Sequence, residues 1–232
     1  MTTRLAVISG GGTEIGVATG VALATEGFDV LLIGRQGDAL RATAERIGEA
    51  SGRQVTVDAV VADLIEPAEV ARVVEAVAGR TVDVIVNNAG GHHDGDPTSL
   101  AGIAGQWRAN FDANVLTTVL LTEALRPALR RPGGRVILLT SIPTQPGGDG
   151  PFSAASAALR GWAYSLAREL GKEQITVNVI NPGQMVDREY PVQETAGRES
   201  TRISRSGEPV DVAATIRYLA SPDASDVTGQ VF

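Results

Sequence analysis

The sequence predicts an α/β protein built on a doubly wound parallel sheet, and two observations carry that expectation. Short runs rich in Val, Ile and Leu, such as RLAVIS (4–9) and FDVLLIG (28–34), are apolar without alternation, so both of their faces are to be buried. Between them lie longer segments with apolar residues at helical spacing, and the two kinds of segment alternate from end to end. Strands joined through helices pair in parallel, and their helices cover both faces of the sheet.

Taken in order, RLAVIS is the first strand and 13–27 the first helix. FDVLLIG is the second strand, followed by a helix through DALRATAERIGEA (38–50). QVTVDAVVAD (54–63) is the third, with a helix near 66–79, and VDVIVNN (82–88) is the fourth. A long helical stretch near 100–130 leads to GRVILLTS (134–141), the fifth strand. A helix over 152–171 then precedes the sixth, ITVNVIN (175–181). The stretch 183–208, GQMVDREYPVQETAGRESTRISRSGE, is polar and irregular; a long insert of this kind in a compact domain is usually functional, here a substrate lid. No repeat, low-complexity tract or linker divides the chain, so 1–232 reads as a single Rossmann-type domain.

Composition narrows the function. Hydrophobic residues make up 43% of the 232 and aromatics only 4%, so the core is aliphatic. A net charge of −7 without a Lys/Arg run argues against nucleic acid as the main partner. The absence of cysteine excludes disulfides, Cys–zinc sites and thiol nucleophiles. The N-terminus enters a strand at once and lacks the apolar region of a signal peptide. No apolar run approaches the roughly 20 residues of a membrane span. The expectation is a soluble cytoplasmic protein with a small-molecule substrate.

The first strand runs into SGGGTEIG, with Ser9, Gly10, Gly12, Thr13, Glu14, Ile15 and Gly16. A glycine-rich turn between strand and helix lets backbone N–H groups approach a pyrophosphate at the helix N-terminus. The same residues can also make a tight turn and nothing more; their place after the first strand favours the phosphate reading.

With Asn87-Asn88-Ala89-Gly90 after the fourth strand and Asp63-Leu64 after the third, the chain resembles the compact form of the short-chain dehydrogenase/reductase family. That family opens with Thr-Gly-x-x-x-Gly-x-Gly. Pro182-Gly183 in NVINPG resembles its turn after the sixth strand, and 207–231 its C-terminal helix and last strand. The family continues beyond the position of Phe232 with a short strand ending Val-Asp-Gly-Gly. The resemblance implies a dinucleotide held by the glycine-rich loop, by Asp63 and Leu64 at the adenine, by Asn87, Ala89 and Gly90, and by Pro182 and Gly183. Arg35, at the end of the second strand, stands where a basic residue accommodates the 2′-phosphate of NADP, so the resemblance implies NADPH; a solvated surface arginine is the alternative. Glu14 departs from the family's middle glycine and sets a carboxylate beside the expected pyrophosphate, a repulsion of roughly 1 kcal/mol in water and about 4 at intermediate dielectric. Asp187 departs likewise from a threonine that contacts the nicotinamide amide.

The family's catalytic set is Asn, Ser, Tyr and Lys. Asn114, in FDANVLTT, matches the asparagine that holds a relay water, and Ser141, in LLTSIP, the serine that bonds the substrate oxygen. A helix-interior polar residue and a strand-end turn former are their plainer readings. FSAASAAL (152–159) resembles the family's Tyr-x-Ala-x-Lys-Ala-x-Leu, with Phe152 at the tyrosine position and Ser156 at the lysine position. Phenylalanine keeps the ring and loses the proton; serine is too short and uncharged for the lysine's tasks. Losing a positioned general acid costs about 10²–10⁴ in rate. The only two histidines, His92 and His93, follow Asn-Asn-Ala-Gly directly. Surface loop, substitute acid or base, and metal ligand with Asp94 and Asp96 are the three readings, the last with poor ligand geometry; no metal is expected.

The leading expectation is an atypical NADP-linked oxidoreductase on a small carbonyl or alcohol, with a non-standard proton donor. A non-redox enzyme (cyclase, dehydratase or isomerase) and a catalytically silent binding subunit remain open. The resemblance also implies a homo-oligomer, dimer or tetramer, packed through 100–130 and 152–171, where Ala154, Ala155, Ala158 and Gly161 form a small-residue face near Trp162.

Overall fold

All six apolar runs form strands: β1 (Arg4–Ser9), β2 (Phe28–Gly34), β3 (Val57–Val61), β4 (Val84–Asn87), β5 (Arg135–Leu139) and β6 (Thr176–Ile180). The computed structural model describes residues 3–141, 150–183, 185 and 206–232. The strands pair in parallel in the order β3-β2-β1-β4-β5-β6. Seven α-helices accompany them among the described residues: α1 (Glu14–Thr25), α2 (Gly37–Ser51), α3 (Pro67–Ala76), α4 (Leu100–Phe111), α5 (Thr117–Leu125), α6 (Gly150–Leu170) and α7 (Pro209–Ala220).

Strand residues divide by parity between two cores. Leu5, Val7, Leu31, Ile33, Ile85 and Val136 face α3, α5 and α6, whereas Ala6, Ile8, Val30, Leu32, Val84 and Ile137 face α1, α2 and α7. This is the doubly wound arrangement that two-sided apolar runs require. A fully buried Val, Leu or Ile contributes roughly 1.5–3 kcal/mol, so the central strands anchor the domain. β3 is the exception. It sits at the sheet edge and leaves Asp58, Ala59 and Val61 exposed, which shortens the expected 54–63 strand to five residues.

Two departures bear on function. The expected helical stretch near 100–130 is interrupted: a π turn at Asp112–Leu116 separates α4 from α5, and a 3₁₀ turn follows at Arg126–Ala128. Wide turns of this kind insert an extra residue into a helix and frequently mark functional sites. The C-terminal segment lies along β6, where the Val179 amide donates to Gln230 (2.9 Å) and the Phe232 amide to Val179 (3.0 Å). It makes a single bridge, Val179 to Val231, rather than a full strand.

The strand order reverses between β1 and β4, which opens a crevice at their C-terminal ends. The glycine-rich loop leaves β1 there and Asn-Asn-Ala-Gly leaves β4. Of the expected lid at 183–208, residues 184 and 186–205, Asp187 included, lie outside the described residues; its two ends meet in a bridge between Met185 and Gly207. Among the described residues no helix is long and apolar enough to cross a membrane.

Candidate functional site

An open cleft of about 810 Å³ occupies the crevice. Gly10, Gly12, Thr13, Glu14 and Ile15 form one wall, Arg35 and Gln36 the end of β2, Asp63 and Leu64 the end of β3, and Asn88, Ala89 and Gly90 the floor. Gly10 has φ +64°, a left-handed conformation that suits glycine, and a Cβ there would stand 2.6 Å from Asn88 Nδ2. Thr13 caps α1: its hydroxyl accepts from the Gly16 amide (3.1 Å) and donates to the Gly10 carbonyl (2.9 Å). Asn88 Nδ2 donates to the Gly10 carbonyl (3.1 Å) and to Thr13 Oγ1 (3.0 Å), tying the β1 and β4 loops together. The result aims the positive end of α1 into the cleft, a ready anion site. Glu14 is exposed on the rim at the first turn of that helix.

Five residues expected at the cofactor do not line the cleft: Pro182 and Gly183 line only a smaller pocket beside it, and Ser9, Gly16 and Asn87 line neither. Ser9 is buried, and its Oγ accepts from the amides of Asn88 (3.0 Å) and Ala89 (2.9 Å), so it shapes the floor from beneath. Gly16 faces the loop behind the wall; a Cβ there would lie 2.4 Å from the Gly10 carbonyl oxygen, so it serves close packing. Asn87 is turned into the core, where its Nδ2 donates to Thr122 Oγ1 (2.9 Å). The second asparagine of the pair, Asn88, lines the cleft instead. Nothing but strand parity separates the two in sequence: Asn87 ends β4 facing α5, so its neighbour faces the other way.

A smaller pocket of about 210 Å³ opens from the same floor and shares Ile15, Asn88, Ala89, Gly90 and Met185 with the cleft. Asn114, Ser141, Phe152, Ser156, Pro182 and Gly183 converge on it from the π turn, β5, α6 and the loop after β6. Phe152 and Ser156, four apart on α6, present one helical face to the cavity. Ser156 is 4% exposed. The side chains around this pocket among the described residues are amides, hydroxyls and apolar groups; none is a carboxylate, an amine or an imidazole.

Asn114 holds the pocket's rim. Its Oδ1 accepts from the Gly91 amide (3.0 Å), and its Nδ2 donates to the carbonyls of Gly91 (2.8 Å) and Asn110 (2.8 Å). Gly90 has no room for a side chain, since a Cβ would meet Asn114 Oδ1 at 2.6 Å. One turn earlier, Asn110 repeats the arrangement on His93. Its Oδ1 accepts from the His93 amide (3.2 Å), and its Nδ2 donates to the carbonyls of His93 (2.7 Å) and Gln106 (2.9 Å). Asn110 is fully buried and carries no family motif, so sequence reading passed over it.

The two histidines part company. His93 lines the large cleft beside Asp112 and Thr117. His92 packs edge-to-face on Phe152, ring centroids 6.0 Å apart at 76°, with Nδ1 3.7 Å from Asp94 Oδ1. Asp96 does not join them. It lies just before α4, where the Thr98 hydroxyl, the Thr98 amide and the hydroxyl of Ser99, the N-cap of that helix, hold its carboxyl below the usual range.

The small-residue face of α6 divides as well. Ala155 is buried in the protein's own core, Trp162 packs against that core, and Gly161 is exposed. On α4 and α6 the exposed large apolar groups among the described residues are Leu100, Ile103, Trp107 and Tyr164.

A family model described as Enoyl-(Acyl carrier protein) reductase matches residues 12–232. A 3-oxoacyl-[acyl-carrier-protein] reductase of Synechocystis sp. is 32% identical over 238 residues, covering 100% of this chain and 95% of its own. The short-chain reductase protein NovJ of Streptomyces niveus is 32% identical over 243 residues, covering 97% and 90%. Among solved structures, L-sorbose reductase from Gluconobacter frateurii, complexed with NADPH and L-sorbose, superposes with a TM-score of 0.88 at 28% identity, covering 100% of this chain and 94% of that one. Fold, crevice and full-length similarity agree, and the chain belongs to the short-chain dehydrogenase/reductase family of oxidoreductases.

Proposed function

We propose that the protein is an atypical NADP-linked oxidoreductase acting on a small carbonyl or alcohol, with a proton donor other than the family's tyrosine. The observation that carries this reading is the joining of two cavities: a nucleotide-sized cleft with an anion-binding helix end opens into a pocket lined by Asn114 and Ser141. The residues fit the cofactor. The absence of a Cβ at Gly10 and Gly16 keeps the α1 terminus close to the loop, where a pyrophosphate would find backbone N–H groups. Asp63 and Leu64 stand where the adenine would lie, and Arg35 offers a cation for a 2′-phosphate. The NADPH named with L-sorbose reductase supports the same choice.

When bound, the reduced nicotinamide supplies a hydride to the small pocket. Ser141 would hold the substrate oxygen by its hydroxyl, and Asn114 would keep loop 90–91 in place beside it. Phe152 and Ser156 occupy the positions of the family's Tyr and Lys, so the ring would pack against the substrate and no phenol would protonate it. Exposed Leu100, Ile103, Trp107 and Tyr164 support a homo-oligomer through α4 and α6, and the single-domain chain is taken to act in the cytoplasm.

Fluorescence titration with NADPH and NADH tests the cofactor, and consumption of NADPH with an activated vicinal diketone tests the reaction. Tighter binding of NADPH with slow reduction is the expected result. Binding without reduction would favour a non-redox enzyme in the same pocket, and binding of neither nucleotide would favour a silent subunit.

A further inference from the structure

We propose that His92 is the catalytic acid of this pocket and that Asn110 is the residue that positions it. The inference rests on the reductase reading above. Reduction of a carbonyl needs a proton as well as a hydride, and no described side chain lining the small pocket titrates near neutrality. His92 touches the lining of this pocket: its ring packs on Phe152, a lining residue, and it is adjacent in sequence to Gly91, which also lines the pocket. His93 is set apart by its place on the nucleotide cleft, beside Asp112 and Thr117.

The loop geometry is what distinguishes His92 from a surface histidine. Asn114 grips both backbone polar groups of Gly91, and Asn110, one helical turn away, grips both of His93. His92 therefore sits between two pinned residues, and its backbone cannot swing while both clamps hold. Phe152 then fixes the ring from the side, and the Asp94 carboxylate stands 3.7 Å from Nδ1. A buried asparagine that spends all of its polar atoms on main chain is an expensive way to hold an ordinary loop, and a suitable way to hold a proton donor.

In the step proposed, the substrate carbonyl carbon gains a hydride from the reduced nicotinamide, and the π electrons move to oxygen. That oxygen takes a proton from imidazolium Nε2. The products are the alcohol, the oxidised nicotinamide and a neutral imidazole, which regains its proton from solvent.

The test uses the full chain with NADPH and a vicinal diketone. His92→Ala removes an exposed side chain and leaves the fold intact; it should lower kcat by about 10²–10⁴ with KM and NADPH affinity within about twofold, and added imidazole should restore part of the rate. Asn110→Ala should lower kcat by about tenfold alone and by nothing further in the His92→Ala background, as expected of residues acting as one unit. A readout without turnover accompanies it: with only two histidines in the chain, the His92 Cε1–H resonance is assignable by its loss in His92→Ala. It should shift in Asn110→Ala while NADPH affinity holds. Reduction by His92→Ala at more than half the wild-type rate would overturn the assignment and leave the reductase reading standing. Equal losses from Asn110→Ala in both backgrounds, or an unmoved His92 resonance, would overturn the positioning role. Absence of hydride transfer in wild type would overturn both the assignment and the reading on which it rests.

Discussion

The large cleft and the small pocket share a wall, yet they are built from different groups. Along the cleft the backbone does the work: a left-handed Gly10, a capped α1 terminus and an asparagine stitch hold N–H groups where an anion would sit. Such a site depends on shape, and shape survives a change at Glu14. In the pocket the chemistry depends on individual side chains, and there Phe152 and Ser156 bring no proton and no charge. A site made of backbone amides and a site made of individual side chains answer to substitution differently: the first to a change of shape, the second to a change of chemical group.

The sharpest test of that difference is to place a tyrosine and a lysine at positions 152 and 156. Phe152→Tyr alone should change little, since a phenol without a cation beside it keeps a pKa near about 10. Ser156→Lys alone should lower Tm, because it puts an unpaired ammonium at a buried position. The double variant should exceed the sum of the singles, because tyrosine and lysine act as one unit. Steady-state kinetics on the four proteins checks it.

A smaller loss is expected from the cleft side. Gly16→Ala places a Cβ 2.4 Å from the Gly10 carbonyl oxygen and 3.0 Å from Gly11, against main chain that cannot step aside. The α1 terminus must move, and NADPH affinity should fall by roughly 10- to 100-fold, about 1.4–2.8 kcal/mol, in a fluorescence titration. The pocket's residues are untouched, so kcat at saturating NADPH should hold. Smaller again, and of opposite sign, is Glu14→Gly. Removing a carboxylate from the rim should tighten NADPH by about fivefold, the roughly 1 kcal/mol that a solvated charge pair is worth. Unchanged affinity would place the Glu14 carboxylate away from the phosphates.

How much of this was open to a reader of the sequence alone depends on the kind of contact. Strands such as VIVN and VNVI were legible because burial on both faces leaves no alternative to an aliphatic run, and the parallel order follows from their alternation with helices. β3 was drawn too long because apolar composition does not say which strand ends at the sheet edge. At the site, Asn114, Ser141, Phe152 and Ser156 were legible through a shared pattern, and all four line one pocket. Asn87 was misplaced because the face of a strand-end residue is decided by register. Asn110 was missed because its partners are the backbone of a residue 17 positions away, and main-chain partners leave no trace in sequence. The interruption at Asp112–Leu116 was hidden for a similar reason: helical periodicity continues through it with only a phase change.

The smallest expected effect concerns the loop that carries His92. Asp96, its carboxyl held low chiefly by the Thr98 hydroxyl, stabilises the start of α4 above its ordinary value of 3.8, and that contribution is lost as pH falls through the lowered folded value. Asp96→Ala should therefore lower Tm slightly at pH 6 and converge on wild type as pH falls below the lowered folded value, a difference readable by calorimetry.

The separation of cleft from pocket is tested most directly by following the hydride itself. Wild-type protein is mixed with NADPH deuterated at the transferred position of C4 and with a vicinal diketone, in a single turnover, and the product is weighed by mass spectrometry. Slow formation of a hydroxyketone carrying one deuterium on carbon is the predicted result, at a rate that rises in the Phe152→Tyr/Ser156→Lys variant. Bound NADPH with no deuterium in any product, in wild type and double variant alike, would contradict the account.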